Sequence, residues 1–165
     1  METFPLDILV YIIDLLAGGD DDDIKSLQTL SQACKSMVPL CRKHLFSSLH
    51  LGSSNSELYN DLLSKNPDIA SYLRNLYYGV FDYLSDHELN ILDMLKKRPS
   101  LQSIELTSSR FSLDWNYFPE PMRSSLISLI QLPTVARLTI HSHKNFPVTV
   151  LSGCSNVNEI GRAHV

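Results

Sequence analysis

The chain has 165 residues, 44% hydrophobic and 19% charged, with a net charge of −4. That balance is one of a soluble globular chain with one or two small domains and a real core, and it offers no basic footprint for nucleic acid. Its longest apolar run, Ile8 to Ala17, is broken by Asp14 and too short to cross a bilayer. Met1-Glu2-Thr3 lacks the positive region of a signal peptide, and three cysteines do not form a disulfide framework. The expected setting is intracellular, cytoplasmic or nuclear, with no membrane partner.

The first predicted helix follows Pro5, which suits a first turn because its missing N–H costs nothing there. Asp7 sits near the positive end of the helix dipole, and Gly18-Gly19 ends the helix. Apolar residues come in adjacent pairs, Ile8 with Leu9, Ile12 with Ile13, Leu15 with Leu16. They recur at helical spacing, so the apolar stripe is wider than the roughly 100° that one core contact needs. Burial on two sides is expected, one by the domain's own core and one by a partner; a helix wholly buried within one domain would carry the same pattern.

Asp20 to Asp23 follow. They lack the alternating ligands of a calcium loop, and Ser31 stands where a closing Glu is needed. A solvated loop whose last Asp caps the next helix is expected. That second helix carries Ile24, Leu27, Leu30 and Cys34 on one face and ends around Met37, because Pro39 disfavours helical geometry at Val38. Pro39 opens a third helix with Leu40, Cys41, His44 and Leu45, and Arg42 and Lys43 near its favourable end. Cys34, Cys41 and His44 do not complete the four ligands of a zinc site. Both cysteines read as small core residues.

The stretch Phe4–Leu51 resembles an F-box, and fungal members in particular. The family opens Leu-Pro-x-Glu-apolar-apolar-x-x-Ile-apolar-x-x-Leu. Here stand Phe4, Pro5, Asp7, Ile8, Leu9, Ile12, Ile13 and Leu16, followed by Leu30–Ser36 and Pro39–Phe46 as the family's later segments. Met37 replaces a Trp that many members carry, and the acidic run lengthens the first loop. The resemblance implies docking on a Skp-family adaptor and through it on a cullin, in an SCF-type ubiquitin ligase. Carried over by position, Pro5, Leu6, Ile8, Leu9 and Ile12 would face the adaptor.

An internal repeat follows. The frame apolar-x-x-apolar-x-apolar starts at Phe46, Leu73, Leu101 and Val135, in steps of 27, 28 and 34 residues, and a partial fifth starts at Val157. Leucine-rich repeats have a period of about 20–29 residues, each with a strand and a helix, so the third step holds an insertion. Between frames lie predicted helices at Glu57–Lys65, at Ser85–Lys97 with Ser85 and Glu88 as a capping box, and at Met122–Gln131. Arg110–Pro121 is the inserted loop. Asparagine is missing from the usual ladder position, where Ser109 and His143 stand, so the repeats are degenerate. An irregular α/β domain with frames recurring by chance is the competing reading.

The expected fold is therefore α/β: an N-terminal three-helix F-box (residues 1–45), then an irregular leucine-rich-repeat-like solenoid with a short parallel sheet (residues 46–158). If the sheet forms, alternation exposes the residues between the frame positions. Of these, Asn75, Tyr77, Glu105, Arg137, Thr139 and His141 are the candidate contacts to a target protein.

Chemistry finds little footing. No local motif pairs a nucleophile with a base, and there is no P-loop or dinucleotide fingerprint. His141-x-His143 puts two imidazoles on one strand face, but without a third ligand nearby they read as surface residues. No cofactor or metal is expected. Residues 159–165 resemble the translation of a sequencing-library adapter and are set aside as a non-native tail. The array would then be cut short, leaving an exposed apolar edge after Val150 that favours association. The reading is a non-enzymatic substrate receptor of an SCF-type ligase; the alternative is a stand-alone leucine-rich-repeat binding module with no ubiquitin role.

Overall fold

The computed structural model describes residues 5–17, 21–33, 35–80, 85–108, 113–141, 143–157 and 159–163. It divides into two compact units, residues 1–47 and 48–165; the boundary expected between 45 and 46 lies two residues later.

The first unit has three helices, α1 (Leu6–Leu16), α2 (Asp21–Ala33) and α3 (Val38–Leu45). Their core is Ile13, Leu27, Met37 and Cys41, with Leu9, Leu16, Ala17, Leu30, Leu40 and Leu45 packed around it. Two boundaries differ from expectation. Asp21–Asp23 belong to the first turn of α2 rather than to a loop, where the helix dipole favours carboxylates and Asp22 accepts from Lys25 Nζ at 2.7 Å. Helix α2 also stops at Ala33, short of Met37, and Lys35–Met37 make a turn. That turn lets Met37 enter the core, in the corner where the sequence suggested a softer residue. Phe4, Gly18, Gly19 and Cys34 fall outside the described residues, so the expectations placed on them are untouched.

The second unit alternates strands and helices: β1 (Ser48–Leu51), α4 (Ser56–Lys65), β2 (Asn75–Val80), α5 (Asp86–Lys97), β3 (Ser103–Ser108), β4 (Leu113–Asp114), α6 (Glu120–Ile130), β5 (Arg137–His141), β6 (His143–Lys144) and β7 (Glu159–Ala163). Five strands form one parallel sheet in the order β1-β2-β3-β5-β7, and β4 pairs with β6 separately. The chain is thus α/β with a short parallel sheet. Parallel neighbours need a crossover, which is why a helix or longer connection separates each pair.

The repeat frames define the sheet register. Leu49, Leu76, Ile104 and Leu138 are direct partners across four strands, and so are Leu51, Tyr78, Leu106 and Ile140. Spaced two apart, these positions point to one face, and all but Ile140 are buried. Leu73, Leu101 and Val135, which open their frames, are buried as well. Buried in the same unit are Leu63 from α4, Ile91, Leu92 and Leu95 from α5, and Leu126, Leu129 and Ile130 from α6.

Polar side chains also tie neighbouring units together at about one period. Asn75 Nδ2 donates to Ser48 Oγ at 3.1 Å; Ser56 and Ser85 hydroxyls lie 3.3 Å apart; Ser100 Oγ donates to Ala70 O at 3.0 Å. The expected capping box is present, with Ser85 Oγ accepting from Glu88 N at 3.2 Å and Glu88 Oε2 accepting from Ser85 N at 2.9 Å.

The strand β7 overturns one expectation. Residues 159–163, set aside from the fold as a tail, pair with β5 in register, Leu138 opposite Ile160. The edge expected to lie open after Val150 is therefore paired, and Val150 itself is buried in a 3₁₀ turn, Val148–Gly153. The physical reason is that ladder bonds run through backbone groups, which any non-proline sequence offers to an open edge.

Candidate partner-binding surfaces

Two surfaces stand out, one in each unit. The first is on α1. The helix turns Leu9, Ile13 and Leu16 toward the core at steps of four and three, and only Ile13 is fully buried. Ile8, Ile12 and Leu15, each one residue earlier and therefore about 100° around the helix, are exposed, Ile12 by 39% and Leu15 by 60%. Tyr11 extends this strip, at 65% exposed; Leu6 is exposed too, at 63%, but it stands seven residues before Ile13, on the core-facing side of the helix at its open first turn. The doubled apolar pairs are thus split between two faces.

Of the five residues carried over as adaptor-facing, Pro5, Leu6, Ile8 and Ile12 are exposed, whereas Leu9 is half-buried against the core. That difference comes from packing: Leu9 stands one turn before Ile13, on the side where α2, the turn after it and α3 supply Leu27, Met37 and Cys41. Tyr11 and Leu15 belong to the exposed strip and were not singled out from the sequence. The signal that could have found them was the second member of each i, i+3/i+4 set, once one member was assigned to the core.

A polar clasp fixes the other flank of α1. Asp14 Oδ1 accepts from Lys43 Nζ and lies against His44 Nε2, each at 2.9 Å. The Lys43 ammonium, hydrogen-bonded to it, holds the Asp14 carboxyl below the usual carboxylate range, and His44 adds to this. The clasp orients α1 on α3, and with it the apolar strip.

The second surface is the polar face of the parallel sheet. Direct partners form rows: Ser48, Asn75, Ser103 and Arg137 in one, His50, Tyr77, Glu105 and Thr139 in the next. Thus all six candidate target contacts lie on one sheet, on β2, β3 and β5. The rings of His50 and Tyr77 stack at 4.4 Å with 4° between planes. Glu105 Oε1 lies 3.3 Å from His141 Nε2 on β5. Most of these side chains are half-buried by their neighbours; Ser48, His50 and Arg137 are exposed.

His141 and His143 do not share a strand face. His141 ends β5 of the large sheet, while His143 begins β6 of the small one, paired with Leu113. The insertion before α6 has its own support, which sequence reasoning treated as a plain loop. Trp115 is buried, with Phe118 and Phe146 edge-on at 5.4 and 4.8 Å. Asp114 accepts from Asn116 N and from Asn145 Nδ2, and the Asn116 backbone N–H keeps its carboxyl low. Asn145 takes a left-handed φ of 55° to make this contact, a conformation asparagine tolerates better than most residues.

Burial pushes the Cys41 thiol up, away from the reactive thiolate. Among the described residues, no group of three or more His, Cys, Asp or Glu is placed to hold a metal ion, and no helix is long and apolar enough to cross a membrane. No family model matches the chain, and no curated protein or solved structure matches it.

Proposed function

We propose that this chain is a substrate-receptor subunit of an SCF-type cullin–RING ubiquitin ligase. In this reading the three-helix unit is an F-box that docks on a Skp-family adaptor, and the strand–helix units are degenerate leucine-rich repeats whose polar sheet face holds a target protein. The observation that carries it is the outward strip Ile8, Tyr11, Ile12 and Leu15. Four large apolar side chains on one face of a short helix form the kind of exposed patch that marks a protein interaction surface, and the F-box pattern supplies the identity of the partner. The in-register frames support repeats, and the polar, mixed sheet face supports protein rather than nucleic-acid recognition.

The test is capture of a purified Skp-type adaptor by the whole chain and by its Ile12→Asp variant. Wild type should bind, and the variant should lose binding while keeping the strand signals of the second unit. Adaptor capture unchanged by Ile12→Asp would reject the docking strip. A wild-type chain that ignores the adaptor would leave the alternative, a stand-alone repeat module.

A further inference from the structure

The sheet face carries one carboxylate among its described side chains, Glu105, and it sits next to the stacked rings. His50, Tyr77 and Glu105 are direct partners on β1, β2 and β3. Their side chains therefore rise from the same face at intervals of about 4.8 Å. The Tyr77 ring is held by its stack on His50. Glu105 is about one-third exposed and uses Oε1 toward His141; a carboxylate has about four acceptor sites, so one imidazole does not exhaust it.

We propose that this row is a subsite for an arginine side chain of the target protein. The inference rests on the sheet face being the target-binding surface. A guanidinium needs two things side by side: an aromatic ring to stack on and a carboxylate to take its planar fork. Tyr77 and Glu105 supply both from adjacent strands, with the ring already held. An ammonium would use the charge but not the fork. An acidic side chain would meet the central carboxylate and be repelled. The small side chains of Ser103 and Thr139 flank Glu105 and leave the approach low.

The test is amide chemical-shift titration of the whole ¹⁵N-labelled chain with an end-blocked Gly-Ser-Arg-Ser-Gly peptide and its Lys, Gln and Glu counterparts. The Arg peptide should move the Tyr77 and Glu105 amides, the Lys peptide should act more weakly, and the Gln and Glu peptides should leave them in place. Glu105→Gln should weaken the Arg peptide about tenfold, the scale of one charge-assisted contact. Tyr77→Leu reads the same subsite by a second route and should also weaken it. An equal response to the Gln peptide, a stronger one to the Glu peptide, or indifference to both substitutions would overturn the subsite. Adaptor capture measured on the same samples separates the two readings: capture with a silent row defeats this subsite alone, whereas a responding row without capture keeps the subsite and defeats the ligase role.

Discussion

Helix α1 is richer in apolar residues than α5, yet it buries only Ile13, while α5 buries Glu88, Ile91, Leu92 and Leu95. The difference lies in their neighbours. Helix α5 packs between α4 and α6. Helix α1 has α2 and α3 on one side and exposes the other. Apolar content alone therefore does not report burial. It reports a demand for burial, which the second unit meets internally and α1 meets only in half.

The largest effect should come from removing volume where that demand is fully met. Leu92→Ala in α5 should cost about 2–5 kcal/mol, read as a fall in the urea midpoint for the second unit. A shift under a fifth of that would mean the α5 core is loosely packed. Ile13→Ala should be nearly as costly for the small first unit, about 2–4 kcal/mol, because so few residues form its core. Amide exchange should then rise across α1, α2 and α3 and stay low in the strands of the sheet. An equal rise of exchange in the strands of the sheet after Ile13→Ala would dissolve the comparison between the two units.

Removing a cap should act on a smaller scale. Ser85→Ala breaks half of the capping box and its approach to Ser56, at about 1 kcal/mol. The clasp on α1 adds a pH signature of known sign. Asp14 has a depressed carboxyl pKa in the folded chain, so its contribution is present above the unfolded carboxylate value of about 3.9 and is lost as pH falls through the folded value. Acid titration of the first unit followed by circular dichroism should show this loss, and Asp14→Asn should flatten it. Smallest of all, Ile12→Asp should change the stability of the isolated chain by only about 0.5 kcal/mol, because Ile12 is exposed. A loss comparable to that of Ile13→Ala would show that the outer strip is core after all.

The parallel strands were legible because large aliphatic residues recur at one row of the sheet. Leu49, Leu76, Ile104 and Leu138 sit at the same place in four frames and became direct partners. The two-sidedness of α1 was legible for a similar reason, since doubled pairs at helical spacing leave no polar face wide enough for a simple surface helix. Which member of each pair faces the core was not legible. Leu9 and Ile8 differ only by rotation about the helix, and the choice depends on Leu27, Met37 and Cys41, supplied from elsewhere in the bundle.

The insertion failed differently. Trp115 is held by Phe146 and Asp114 by Asn145, about thirty residues away, and strands of two residues leave no periodicity to read. With β7, a resemblance to a sequencing-library adapter pointed to a foreign tail, while the backbone of β5 accepts any strand that can complete its ladder.

The most direct test of the central claim is hydrogen–deuterium exchange of the whole chain with and without a saturating Skp-type adaptor. The account predicts new protection over Leu6–Leu16, with the strands of the parallel sheet unchanged. Protection confined to the sheet, or no change along α1, would contradict it.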